Sequence, residues 1–288
     1  MDLRISLKSR GFTLIELLVV IAVIAILAGL LVPALARGKR QAKQVSEITA
    51  AKQLVLAWQL YADEHEDMVL PGYSPHEATY GPGALVEVDV FCNIREPLTG
   101  PTKDRYPWRL APQLAGSFRS IYVNESRHFL NDAENHSHQE FDYRASLYPS
   151  LGYNSVFIGG DEGKFNPALA ATSFGLDWLT TRSSRIREPS ELIVFASARS
   201  RPGGGRDEHG YFVIHPPYIR TRQWDPTFDP QRPPEKFGYV HPRWNGKAVA
   251  ALADGHVESL NQTELQNMQR WANPADRSDW TIQALPSM

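Results

Sequence analysis

Three groups of residues in this chain have the types and spacing to do chemistry. The first is a single carboxylate, Glu16, in the stretch SRGFTLIELLVVIAVIAILAGLLVPALA, just before an uncharged run over residues 17–36. A charged acid at the edge of lipid is costly, so a cation is needed beside it. The second group is His241, Asp254 and His256. These could form a catalytic or metal centre if strand pairing brought them together, or a hydrogen-bond set around a turn that Asp254 stabilises. The third is His136-Ser137-His138 among Asp132, Glu134, Glu140 and Asp142. It offers nitrogen and oxygen donors for zinc or calcium, but its spacing fits no established site, and a solvated loop explains it as well.

The element that must position Glu16 is the apolar run itself. As a helix, its 20 residues measure about 30 Å, the thickness of a bilayer's hydrocarbon core. The rest of the 288-residue chain is polar enough for one sizeable soluble domain, and the overall mean hydropathy of −0.35 averages the two. A formal net charge of −2 gives no general attraction to nucleic acid, which is not expected as a partner. The single cysteine, Cys92, rules out a disulfide within the chain and reads as a buried thiol.

Three readings of the N-terminus compete. A secretory signal has the basic start supplied by Arg4, Lys8 and Arg10 and an A-x-A at residues 34–36, but the apolar run is too long for it and Glu16 lies inside. A plain anchor helix explains the length and leaves the acid unexplained. The third reading is a resemblance. Gly11-Phe12-Thr13-Leu14-Ile15-Glu16, after a short basic leader and before a long apolar helix, resembles the processing site of type IV prepilins and type II secretion pseudopilins. The resemblance implies that a prepilin peptidase cuts between Gly11 and Phe12 and that Phe12 becomes an N-methylated terminus. It also implies that Glu16 pairs with the Phe12 amine of a neighbouring subunit in a fibre. Such a pair loses much of its attraction to desolvation, so it sets register more than stability. The Lys/Arg rule for orientation is indecisive, because Arg37, Lys39, Arg40 and Lys43 follow the helix just as Arg4, Lys8 and Arg10 precede it. The N-terminus-in orientation therefore follows from the resemblance.

Pro33 is expected to kink the helix, since it removes one backbone bond and crowds the carbonyl of Gly29. Beyond it, Val45, Ile48, Ala51, Val55, Trp58 and Ala62 recur at steps of three and four, with Lys43, Glu47, Lys52 and Gln59 elsewhere on the helix. That is an amphipathic continuation, expected to run to Asp67 before Pro71-Gly72. The implied organisation is a leader at 1–11, a transmembrane helix at 12–36, an amphipathic continuation at 37–67 and a β-rich globular domain with long loops at 68–288. The fold class expected is α+β, a pilin-like long N-terminal helix packed on an antiparallel sheet.

Strands are expected at 85–91, 155–158, 192–196 and 211–214, with loops at 201–207 and 224–234. In GKAVAALADGHVESLNQTELQNMQRW, two strand-like runs flank Asp254-Gly255, a pair suited to the positive φ of a tight hairpin. Asn261 or Thr263 can cap a final short helix with Leu265, Met268 and Trp271 on one face. This segment resembles a C-terminal hairpin element of large prepilin-like proteins, although His241 stands twelve residues before Asp254 where that element has nine.

The chain has no nucleophile elbow, P-loop, H-E-x-x-H or paired-cysteine site, and its Gly203-Gly204-Gly205 lacks the Lys-Ser/Thr of a phosphate loop. No enzyme, cofactor or metal is expected. The function expected is a minor or specialised fibre subunit, held in the inner membrane with its C-terminal domain outside the cytoplasm. Its partners by resemblance are prepilin peptidase, an inner-membrane assembly platform, other pilin-like subunits and membrane lipid. The alternatives are a non-polymerising anchored binding protein with the same export signal and, last, an anchored hydrolase using His241, Asp254 or His256.

Overall fold

The structure, a computed structural model, describes residues 13–73, 100–114, 118–123, 126–127, 130–131, 137–165, 167–201 and 210–285. The strand expected at 85–91, Cys92, Gly11, Phe12, residues 132–136 and the glycine run at 203–205 lie outside the described residues.

The first helix, α1, spans Leu14–Glu64 without interruption through Pro33. The chain divides into two compact units, Met1–Lys43 and Gln44–Met288. In the first, the apolar side chains from Leu14 to Leu35 are exposed, Leu14 at 78% and Leu35 at 68%. Among the described residues α1 is the one helix long and apolar enough to cross a membrane.

In the second unit α1 is a core element. Ala50, Ala51, Leu54, Val55, Ala57, Trp58 and Ala62 are buried, and so is Glu47. Two assignments of the helix face are thereby corrected: Glu47 is inside, while Val45 is 60% exposed. Spacing of apolar residues could not anticipate a buried acid whose partners, Ser197 and Arg243, come from a distant strand and a distant turn. The helix also ends earlier than Asp67. Glu66 and Asp67 take left-handed φ values of 53° and 69°, and the Asp67 amide returns to the Ala62 carbonyl at 2.9 Å. The Asp67 carboxylate accepts from the hydroxyls of Ser183 and Ser184, and these bonds hold it below the usual carboxylate range.

Four antiparallel strands, β1 (Leu151–Tyr153), β2 (Ile193–Ser197), β3 (Ala248–Leu252) and β4 (Val257–Leu260), form one sheet in the order β1-β2-β3-β4. Every residue of β1, β2 and β3 is buried, because both faces are covered. Val249 and Ala251 share a core with Leu54, Trp58 and Phe195, while Ala248, Ala250 and Leu252 share another with Leu265, Met268 and Trp271. A bulge between Ile193 and Phe195 lets Val194 and Phe195 both join the first core. The small side chains of β3 suit a sheet sandwiched in this way.

The strands expected at 155–158 and 211–214 reduce to single bridges, Ile158 with Thr180 and Val213 with Tyr153. Gly159 and Gly160 bend the chain with positive φ after the first. Pro216 and Pro217 follow the second and cannot donate to a ladder. At the C-terminus, Asn261 caps the helix Gln262–Leu265 and forms a capping box with Glu264. The helical run then breaks before a 3₁₀ turn at Met268–Arg270, so Leu265, Met268 and Trp271 are buried from two short pieces.

Candidate functional site

The first turn of α1 holds Glu16 in a local network. The Thr13 amide and hydroxyl both donate to Glu16 Oε2 at 2.8 Å, and the Glu16 amide donates to Thr13 Oγ1 at 3.2 Å. This is a reciprocal capping box that satisfies amides left without partners at a helix start. The signal was present in the sequence as Thr13-x-x-Glu16, a pattern that the search for a distant cation passes over. Glu16 therefore starts the helix within a single chain, whatever else it does. Pro33 lies inside the unbroken helix, where it leaves the Gly29 carbonyl without the usual amide.

The Asp254–Gly255 turn joins β3 to β4. The Gly255 amide donates to Leu252 at 2.9 Å and the Leu252 amide to His256 at 3.0 Å. Gly255 takes φ +91°, and Asp254 is not among the residues with positive φ. The loop is thus three residues closed by a left-handed glycine, rather than the expected pair of left-handed positions. Asp254 accepts from the His256 amide at 3.0 Å and contacts its ring Nδ1 at 2.6 Å. Partial burial raises the Asp254 pKa, but the His256 bonds and the charges of His256 and Lys52 outweigh it and hold the carboxyl below its ordinary value.

Two side chains read from the sequence as lying off the apolar positions of α1 grip this turn. Lys52 Nζ donates to the Gly255 carbonyl at 2.5 Å and Gln59 Nε2 to the Ala253 carbonyl at 2.9 Å. His241 is not part of the set. Its amide bonds the Ser197 carbonyl at one end of β2, whereas Ala253 and Asp254 bond Leu192 and Pro189 at the other. The structure thus brings Asp254, Gly255 and His256 together and leaves His241 across the sheet, where its ring lies 6.0 Å from Phe228. The hairpin element is a docked turn.

Two buried polar clusters escaped the sequence reading. Glu47, fully buried, accepts from the Ser197 hydroxyl and lies 3.8 Å from Arg243 Nη1. Arg243 Nη2 donates to the carbonyls of Ala198 at 2.6 Å and Ser150 at 3.3 Å. The cluster pins α1 to the sheet. In the second, Ser155 Oγ donates to Asp161 Oδ2 at 2.7 Å, and His215 Nε2 is 4.0 Å from the same oxygen. The serine bonds the acid rather than the imidazole, and Ser155 is fully buried, so this is not a nucleophile with its base. Burial raises the Asp161 pKa despite the Ser155 bond. Burial, with the nearby Lys164 charge, pushes His215 down to about 3.

A pH dependence follows from His215. Its folded value lies below the unfolded value of about 6.5, so between those limits the unfolded chain binds the extra proton. Stability then falls as pH falls, by up to about 1.4 kcal/mol per pH unit. Asp161 acts with the opposite sign and is common to wild type and variant. The stability advantage of wild type over His215→Gln should therefore shrink between pH 6 and pH 5, measured by urea unfolding at each pH. Parallel pH profiles would show that His215 is not held neutral.

Among the described residues no group of three or more His, Cys, Asp or Glu side chains could hold a metal ion. Residues 6–32 match the family model described as the prokaryotic N-terminal methylation motif. The match covers the segment in which the prepilin-type site was read, and the long apolar helix is consistent with a pilin-like protein. The motif belongs to a structural, pilin-type family rather than an enzymatic one. No curated protein and no solved structure matches the chain.

Proposed function

From a chain that carries a prepilin-type methylation motif, we propose a membrane-anchored pilin-like subunit cut between Gly11 and Phe12. In this reading the leader is residues 1–11 and the membrane-spanning segment 12–36, the helix continues to Glu64, and the globular domain takes in that continuation from Gln44 onward. The motif at residues 6–32 carries this reading. The exposed apolar half of α1 supports it, since a bilayer or neighbouring helices would cover those side chains. In this role the C-terminal domain faces the periplasm or the exterior. The subunit is a minor or specialised one in a pilus-like or pseudopilus fibre. Prepilin peptidase, the assembly platform and other pilin-like subunits are its partners.

Processing is tested by expressing the chain with and without a prepilin peptidase and reading its N-terminus by mass spectrometry. The expected product begins at methylated Phe12 only when the peptidase is present. An intact Met1 in both cells, or a cut after Ala36, would overturn the reading.

The Thr13–Glu16 capping box favours a second reading, because it gives Glu16 a role that needs no other subunit. In that reading the protein is anchored and does not polymerise. Two substitutions separate the two roles of Glu16. Glu16→Gln keeps an oxygen for the cap and removes the charge, whereas Glu16→Ala removes both. If Glu16 pairs with a neighbour's Phe12 amine, both variants insert in the membrane and both fail to enter fibres. Fibre incorporation of Glu16→Gln at the wild-type level would leave the capping role alone.

A further inference from the structure

Four cations, Arg37, Lys39, Arg40 and Lys43, follow directly on the last residue of the uncharged run, and the chain has no Asp or Glu between Glu16 and Glu47. They belong to the continuous helix α1, with Arg37, Lys39 and Arg40 exposed and Lys43 half-buried. At about 100° per residue they fall within an arc of about 160° on one side of the helix, and they span about 9 Å along its axis. A bilayer's headgroup layer is about 5–8 Å deep on each side. The cluster therefore has the height of that layer and begins where the hydrocarbon ends.

Its internal spacing is unfavourable by itself. Arg37 with Arg40 and Arg40 with Lys43 are three residues apart, and Lys39 with Lys43 four, so like charges neighbour one another on the helix surface. Anions drawn to this face would relieve that repulsion. The cluster also works against the orientation rule, since it places positive charge after the span as well as before it. A role in binding gives it a reason to be there that orientation does not.

We propose that Arg37, Lys39, Arg40 and Lys43 form a binding face for the phosphate groups of anionic lipids at the membrane surface. The proposal rests on the reading of residues 12–36 as membrane-spanning, but not on which way the chain crosses. The face gathers anionic lipid around the helix as it leaves the hydrocarbon. Each cation near an anionic surface contributes about fivefold to such an attraction, and the effect is confined to a Debye length of about 10 Å at 0.1 M salt.

The test uses the full chain carrying Cys92→Ser and Gln41→Cys, labelled with a fluorophore at position 41 and reconstituted in phosphatidylcholine vesicles. Phosphatidylglycerol or phosphatidylcholine, each with a doxyl quencher near the headgroup, is added at the same low mole fraction. The expected result is that the phosphatidylglycerol probe is enriched about tenfold around the label at low salt. The enrichment should vanish at about 1 M salt and in the variant with Arg37, Lys39, Arg40 and Lys43 all replaced by Gln. Equal quenching by the two lipids, in protein that floats with the vesicles, would overturn the proposal while leaving the span intact. So would enrichment that persists in the quadruple variant. Protein that fails to float would overturn the membrane-spanning reading and the proposal with it.

Discussion

Glu47→Ala is expected to destabilise the globular unit by about 3–5 kcal/mol, the cost of removing one partner of a buried charge pair. Glu47 is fully buried between the Ser197 hydroxyl and the Arg243 guanidinium, whose side chain is 8% exposed. Without the carboxylate, Arg243 keeps the Ala198 and Ser150 carbonyls but no counter-charge in this cluster. Glu47→Gln should cost less, because it preserves an acceptor for Ser197. Replacing Glu47 and Arg243 together by Leu and Met should recover much of the loss, since an apolar pair of similar volume removes the desolvation burden from both sides. Urea unfolding followed by tryptophan fluorescence measures all three variants. A loss below about 1 kcal/mol for Glu47→Ala, the range of an exposed pair, would show that water reaches the site.

Truncation should give the other large effect. A chain that begins at Gln44 is expected to fold into a soluble unit, whereas one that begins at His65 is expected not to fold. The difference is the half of α1 that carries Leu54, Val55 and Trp58, each at most 1% exposed. Burial of large apolar side chains such as these stabilises a fold by about 1.5–3 kcal/mol each. Their sum, with Arg243 left unpartnered by Glu47, approaches the about 5–15 kcal/mol that holds a typical domain together. Trp58 also donates to Tyr153 Oη at 3.3 Å, and Tyr153 donates to the Leu70 carbonyl at 2.7 Å, so its loss opens a buried hydrogen-bonded chain. Proteolysis and near-UV circular dichroism distinguish the outcomes. A well-folded chain from His65 would mean that the sheet and its second core suffice.

Much of the fold was legible from spacing alone. The 3.6-residue period placed Ala51, Val55, Trp58 and Ala62 inside. The hairpin around Gly255 and the cap at Asn261 followed from glycine's tolerance of positive φ and from asparagine's short acceptor. The strand near 192–196 was found within a residue, as Ile193–Ser197. The strands expected at 155–158 and 211–214 failed because a short apolar run records burial, not pairing. Ile158 and Val213 are buried, yet each has only one bridge.

The polar residues were the least legible. Lys52 and Gln59, read as lying off the apolar face of α1, also hold the turn at Gly255, and Lys52 does so while remaining exposed. Lys52 stands 203 residues from its partner. Glu47 meets Ser197 150 residues away. Nothing in the local sequence of α1 encodes either partner.

By itself, the sequence determined the features that depend on neighbours along the chain: the apolar length that suits a bilayer, the methylation motif at residues 6–32, the helix caps and the glycine turn. These follow from backbone sterics, local hydrogen bonds and transfer from water, which a short window contains. Only the tertiary structure decided which polar side chains are inside, that Asp254 and His256 meet without His241, and that Glu47 is matched by Arg243. A buried charge is tolerable only where another element supplies its counter-charge and hydrogen bonds, and that supply is set by how distant segments pack.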